Sequence, residues 1–176
     1  MKKILIGTHN KGKFKELSYL LSKKIKKISP IELNISSPKE TKKTFIGNAK
    51  LKVNYFSKHS NLPVIADDSG LCITALKRKP GIYSARWAKK HGSFKNAMKF
   101  ILGKMRNKSN RSATFVCCLS FKHPTGKIIT VEGKIKGSIS NKIIGTKGFG
   151  YDPIFIPFSK SITFGQMPKL KKIKMD

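Results

Sequence analysis

Short apolar runs alternate with polar stretches along almost the whole chain, and the period of each run predicts its element. Residues 3–7 (Lys-Ile-Leu-Ile-Gly) read as a short buried strand, and 8–12 as a polar turn. Phe14, Leu17, Leu20 and Leu21 recur at helical spacing, which predicts a helix over 13–23. A second strand is expected over 27–33, followed by a loop over 34–43 in which Pro38 and several Ser and Thr residues act as breakers. Phe45, Ala49, Lys52, Val53 and Phe56 share one side of a helix expected over 44–57. The apolar run 63–66 predicts a strand that ends in Asp67-Asp68-Ser69-Gly70, with extended structure resuming over 71–76.

Beyond a turn at 78–81, an amphipathic helix is expected over 94–105. Two strands over 113–122 and 127–136 flank His123-Pro124-Thr125-Gly126, which predicts a hairpin. A glycine-rich loop over 145–153 ends in aromatic residues, and the tail from Pro168 begins as a helix. There is no internal repeat and no linker-like segment, so a single domain over residues 1–176 is expected, mixed α/β with an antiparallel extension. That length is enough to bury a core.

Charge changes the picture next. The formal net charge is +30, which at first points to nucleic acid. Yet only Arg78, Arg86, Arg106 and Arg111 among the 38 basic residues are arginine, and the lysines are scattered over nearly every segment. Nucleic-acid readers lean on the planar arginine fork, so this reads as a broad compositional bias with no specific nucleic acid expected. The same bias makes the acids informative. Only Glu16, Glu32, Glu40, Asp67, Asp68, Glu132, Asp152 and Asp176 remain, and two of them are adjacent. No apolar stretch approaches the roughly 20 residues that span a bilayer, and no leader-like segment opens the chain, so no membrane association and a cytoplasmic location are expected. Cys72, Cys117 and Cys118 sit in apolar runs without a CxxC pair and read as buried thiols in a reducing compartment.

Four stretches carry candidate chemistry. Thr8-His9-Asn10-Lys11-Gly12-Lys13 lies between strand and helix, where backbone N–H groups and a lysine suit a phosphate, or where Asn10 simply caps the helix. Asp67-Asp68-Ser69-Gly70 suits a hard cation such as Mg²⁺ and offers a carboxylate to deprotonate water; the alternative is a capping turn, and the acid-poor background favours chemistry. In Lys147-Gly148-Phe149-Gly150-Tyr151-Asp152-Pro153, Phe149 is placed to stack on a base and Asp152 to accept from a ring N–H, unless the loop is a tight turn over buried aromatics. Arg86, within the stretch from Pro80 to Trp87, is available to an anion or to a structural carboxylate, and a packing role is the preferred reading. His9, His59, His91 and His123 show no metal-ligand spacing.

Taken in order, these stretches resemble the inosine triphosphate pyrophosphatase family. The resemblance rests on residues 8–13, on Glu40 before Thr44-Phe45-Ile46-Gly47-Asn48-Ala49, on 65–71, on Pro80 to Arg86, on 148–155, and on Thr163-Phe164 and Met167. It implies a two-lobed α/β fold around a long mixed sheet flanked by helices, a homodimer, and a site in the cleft between lobes. It also implies hydrolysis of non-standard purine nucleoside triphosphates (ITP, dITP, XTP) to the monophosphate and pyrophosphate, which keeps them out of DNA and RNA. By position, Thr8, Asn10 and Lys13 hold the triphosphate with Lys52 assisting, within a substrate-binding turn that includes His9, Lys11 and Gly12. Glu40 and Asp68 hold Mg²⁺, Asp68 activates water, and Ser69 contacts the nucleotide. Phe149, Gly150, Tyr151 and Asp152 frame the purine, and Lys172 matches a substrate-contacting lysine.

Three departures set expectations of their own. Gly47 stands where the family carries glutamate, which weakens the local acid network. His9 replaces the commoner glycine, so its backbone is either strained or does not need a positive φ. The chain ends at Asp176, one residue before the family's His-Arg pair that reads the purine 6-oxo group, and so reads as C-terminally truncated. Exposed apolar core surface and lost base discrimination are expected from that. Two other readings stay open: an inactive remnant of such an enzyme, and a lysine-rich nucleic-acid-binding protein.

Overall fold

The structure, a computed structural model, describes residues 2–173. The expected ending at Asp176 lies outside the described residues. The elements in chain order are β1 (Lys3–Ile6), α1 (Lys11–Leu20), β2 (Lys26–Ile28), α2 (Phe45–Ser60), β3 (Val64–Ile73), α3 (Ser84–Lys90), α4 (Phe94–Met105), β4 (Ser112–Lys122), β5 (Ile128–Ile139), β6 (Phe155–Pro157) and α5 (Lys169–Ile173). The six strands form one sheet in the order β2-β1-β3-β4-β5-β6. β1 runs parallel to both β2 and β3, whereas β5 and β6 are antiparallel, so the sheet is mixed and the class is α/β. Side-chain hydrogen bonds Ser120–Thr130 and Cys118–Glu132 mark the antiparallel hairpin of β4 and β5.

The chain divides into two compact units, one built from the chain up to Asp68 with Cys117–Glu132, the other from Ser69–Val116 and from Gly133 onward. In the first unit the pleat decides the layering, because successive strand residues face opposite ways. Leu5, Val64 and Ala66 pack with Val53 and Phe56 of α2. Ile4, Ile6 and Ile65 pack with Leu17 and Phe14 of α1. In the second unit, Ile101 and Met105 of α4 join Leu71, Ile73, Tyr151, Phe155 and Phe164 in one core.

Local chemistry moves several boundaries from their sequence-based positions. The Asn10 side chain accepts from Gly12 and Lys13 N–H and starts α1 at Lys11, two residues early. The strand expected over 27–33 is only β2, because Pro30 has no N–H to offer a ladder and a 3-10 turn follows at Ile31–Leu33. Asn61, in the left-handed region at φ 49°, closes α2 three residues later than expected. Asp67-Asp68-Ser69-Gly70 does not interrupt its strand: β3 runs through it, buried at every position except Ser69. Both aspartates find cationic partners, so no turn is needed to bring them to solvent. Gly70 allows this run to pass close to the turn at Gly81, whose carbonyl oxygen would lie 2.3 Å from a Cβ at position 70. Cys72 and Cys118 are buried as expected, but Cys117 is exposed because strand alternation turns it away from Cys118.

Phe56 is 1% exposed, and its ring would lie 2.5 Å from a Cβ at Gly7. Phe56→Ala is expected to cost about 3–5 kcal/mol in urea-induced unfolding. A loss below about 1 kcal/mol would show that this face of α2 does not carry the first unit's core.

Candidate active site

The adjacent aspartates of β3 face opposite sides of the sheet, and each meets a lysine from a different helix. Asp67 shares its face with Ile65, and its Oδ2 lies 2.7 Å from Lys13 Nζ of α1. Asp68 shares its face with Ala66, beneath α2. There Asn48 Nδ2 donates to Asp68 Oδ2 at 3.1 Å, and Lys52 Nζ stands 3.6 Å from Asp68 Oδ1. Asn48 and Lys52 are one helical turn apart, which puts both on one face. Lys52 also donates to the Asp67 carbonyl at 2.9 Å and pairs with Glu40 Oε1 at 2.5 Å. One ammonium therefore gathers two carboxylates, Glu40 from the loop and Asp68 from the strand.

The electrostatics follow from this layout. Burial pushes the Asp68 carboxyl above the ordinary carboxylate range and Glu40 adds repulsion, while Lys52, Lys13 and Asn48 pull the other way without cancelling the rise. For Lys13, burial opposes the charge, but the contact with Asp67 outweighs it and the ammonium is held above its usual value. A carboxylate poised upward in a polar pocket is a better proton acceptor near neutral pH than a solvated one.

The phosphate-turn residues occupy the start of α1. Thr8 Oγ1 accepts from Asn10 N–H at 3.2 Å, and Asn10 Oδ1 accepts from Gly12 N–H at 2.8 Å and Lys13 N–H at 3.2 Å. The capping role of Asn10 is thus real, and it occupies two of the N–H groups that a phosphate would draw on. Lys11 is exposed at the first position of the helix. His9 is absent from the positive-φ residues, so its backbone does not need the glycine conformation. Its ring instead contacts the following loop, through Nε2 to the Ile35 carbonyl at 3.0 Å and Nδ1 to Ser37 Oγ at 2.6 Å. Gly47 N–H donates to the cap oxygen of Thr44, and a Cβ at Gly47 would lie 2.8 Å from Lys42 Cβ. The contacts among Glu40, Lys52, Asp68 and Asn48 do not pass through Gly47.

In the second unit the aromatic loop is held from inside. Asp152 is buried, and its Oδ2 accepts from Phe149 N–H at 2.8 Å and from Lys172 Nζ at 2.8 Å. Tyr151 is buried as well; its hydroxyl donates to the Ser84 carbonyl at 2.9 Å, and burial pushes its pKa upward. The Asp152 carboxylate therefore ties the loop together through Oδ2. Phe149 is half-buried, with Lys172 Nζ 4.6 Å from its ring centroid, and Gly148 and Gly150 at φ 74° and 65° make the turn. Ser69 follows Asp68 at the half-buried position of β3. Sequence reasoning gave no role to Asn48, and the spacing Asn48-x-x-x-Lys52 opposite Asp68 is the signal that identifies it.

The Ham1 family model matches residues 4–176. The chain belongs to the Ham1 family. Among relatives, the dITP/XTP pyrophosphatase of Caulobacter vibrioides is 41% identical over 175 residues, covering 98% of this chain and 90% of that one. The enzyme of the same name from Haemophilus influenzae is 40% identical, with 98% and 91% covered. Among solved structures, a HAM1 protein from Coxiella burnetii superposes with a TM-score of 0.88 at 32% identity, covering 100% of this chain and 92% of that one. The Staphylococcus aureus Ham1 protein gives 0.87 at 35% identity, with 99% and 91% covered. The Ham1 fold is thus the architecture that brings Lys13, Asn48 and Lys52 to the two aspartates.

The raised pKa of Asp68 gives a testable sign. Folding favours its protonated form, so that contribution to stability is complete below the ordinary value of 3.8 and is lost as pH rises through the folded value. Asp68→Asn cannot ionise. In metal-free buffer, the Tm of the variant minus that of the wild type is expected to grow more positive from about pH 4 towards neutrality. A difference that is flat or falls with pH would contradict the pocket described here.

Proposed function

We propose that this chain hydrolyses non-standard purine nucleoside triphosphates (ITP, dITP and XTP) to the nucleoside monophosphate and pyrophosphate, and so keeps them out of DNA and RNA. The observation that carries this reading is the cluster of Glu40, Asp68 and Lys52 beside the Lys13–Asp67 pair. The relatives named as dITP/XTP pyrophosphatases support it across nearly the whole chain.

A divalent cation fits the residues present. Glu40 and Asp68 are oxygen donors that converge on one ammonium, and Glu40 contributes to the raised pKa of Asp68, a repulsion that a cation between them relieves. Among the described residues no group of three or more His, Cys, Asp or Glu forms a metal cage. Two carboxylates completed by substrate phosphates and water are what Mg²⁺ commonly uses. When bound by Glu40 and Asp68, Mg²⁺ would supply positive charge to the phosphate oxygens and lower the pKa of a coordinated water.

The chain's own groups account for the rest. Asp68 accepts the proton of the attacking water at a carboxylate oxygen, with Asn48 fixing the rotamer through Oδ2. The water oxygen bonds to the α-phosphorus, the bond from that phosphorus to the α–β bridging oxygen breaks, and pyrophosphate leaves with the electron pair. Lys52 and Lys13 offset the charge on the phosphates, Lys13 being kept cationic by Asp67. That Phe149 frames the purine rests on the family resemblance alone. Action as a homodimer belongs to the same reading and rests on the family resemblance, while the cytoplasmic location rests on the sequence composition.

Pyrophosphate release from ITP with Mg²⁺ tests the reading. The wild type is expected to release pyrophosphate from ITP, and Asp68→Asn to lose about 10²–10⁴-fold. Comparable release from ITP and ATP would remove the claim of base selection. Release from neither, in protein that unfolds cooperatively, would leave the inactive-remnant reading.

A further inference from the structure

The loop that carries Glu40 is pinned at closely spaced points, and one of the pins comes from the phosphate turn. Ile35 is buried and its N–H donates to the Pro30 carbonyl at 2.9 Å. Ser36 Oγ meets Tyr55 OH at 3.0 Å, Glu40 pairs with Lys52, and Lys42 N–H donates to Asn48 Oδ1 at 2.9 Å. The remaining pins are the two ring nitrogens of His9, on the Ile35 carbonyl and on Ser37 Oγ. A carbonyl can only accept, so Nε2 carries the hydrogen and Nδ1 is left to accept from the Ser37 hydroxyl. The neutral imidazole thus satisfies both contacts at once. The ring is itself steadied by Phe56, at 6.2 Å between centroids, in the core of the first unit.

The link from Ser37 to Glu40 is short and stiff. Three residues reach about 10 Å at most, and Pro38 fixes its own φ and restricts Ser37 before it. Holding Ser37 therefore limits where the Glu40 carboxylate can stand. Lys52, itself bonded to the Asp67 carbonyl, holds the carboxylate end, and the two His9 contacts add a restraint on the backbone that leads to it. We propose that His9 is a positioning residue: it clamps residues 35–37 to the phosphate turn, and so sets Glu40 opposite Asp68 for a divalent cation. This assigns to His9 a role in place of direct substrate contact, and it rests on the reading of Glu40 and Asp68 as the cation site.

The test uses His9→Ala, His9→Gln and Ser37→Ala in the full chain, with Glu40→Gln as reference. Hydrogen–deuterium exchange without metal or substrate reads the clamp itself, and Mn²⁺ binding to protein saturated with a non-hydrolysable purine triphosphate, followed by electron paramagnetic resonance, reads its consequence. His9→Ala is expected to speed exchange over residues 35–42 and to weaken Mn²⁺ binding about tenfold, the usual cost of losing a group that orients a ligand. His9→Gln keeps a donor for the Ile35 carbonyl and is expected to recover part of both effects. Ser37→Ala removes only the exposed hydroxyl, so it reports even if His9→Ala fails to fold. Unchanged exchange in the variants would overturn the clamp. Faster exchange with unchanged Mn²⁺ affinity, in a protein whose Glu40→Gln variant does lose affinity, would overturn the coupling to Glu40. Wild-type protein that binds no Mn²⁺, or a Glu40→Gln variant that binds it equally well, would overturn the cation site and with it the coupling, while the exchange data still decide the clamp.

Discussion

Two adjacent carboxylates inside a strand are tolerable only if each meets a cation, and the first unit is arranged around that requirement. Strand alternation sends Asp67 and Asp68 to opposite faces, so a single helix cannot serve both. α1 brings Lys13 to one and α2 brings Lys52 and Asn48 to the other. The two helices cover the sheet with Leu17 on one side and with Val53 and Phe56 on the other, and this packing is what aims the lysines. Removing one cation would leave a buried charge uncompensated, which costs more than the pair itself contributes.

The two aspartates are not equivalent, and the difference assigns their work. Asp67 is in close contact with Lys13 and keeps that lysine charged. Asp68 is raised by burial and by the neighbouring Glu40 carboxylate, and its looser ammonium at 3.6 Å and the Asn48 amide do not cancel that rise. A tightly paired carboxylate is a poor base, whereas one whose charge is incompletely offset gains from taking a proton. The stability forgone by leaving Asp68 incompletely neutralised is the kind of local cost that functional sites carry. In the second unit the Asp152–Lys172 pair is closed at 2.8 Å and serves to hold a loop.

Much of this was legible in the chain. Hydrophobic period marked β1, α4 and the β4–β5 hairpin, because burial there follows one repeat throughout. The depletion of acids drew attention to the adjacent Asp67 and Asp68, whereas Glu40 was singled out only through the family resemblance. Less visible was whatever depends on which partner arrives. The run Asp67–Gly70 read as a break between two extended stretches, and tertiary ion pairs let the strand continue through it. Tyr151 and Asp152 read as ligand contacts because an aromatic and an acid beside two glycines fit that role, and no local pattern pointed to their bonds with Ser84 and Lys172. The two contacts of His9 join residues 26 and 28 positions away, and no local pattern announces them.

The central claim is that Asp68 directs water at the α-phosphorus of a purine triphosphate, and isotope labelling tests it most directly. Turnover of ITP in ¹⁸O-water should place the label in the monophosphate and leave the pyrophosphate unlabelled. Label in the pyrophosphate, or release of inorganic phosphate with a nucleoside diphosphate, would mean that attack falls elsewhere on the chain of phosphates and would contradict the role assigned to Asp68.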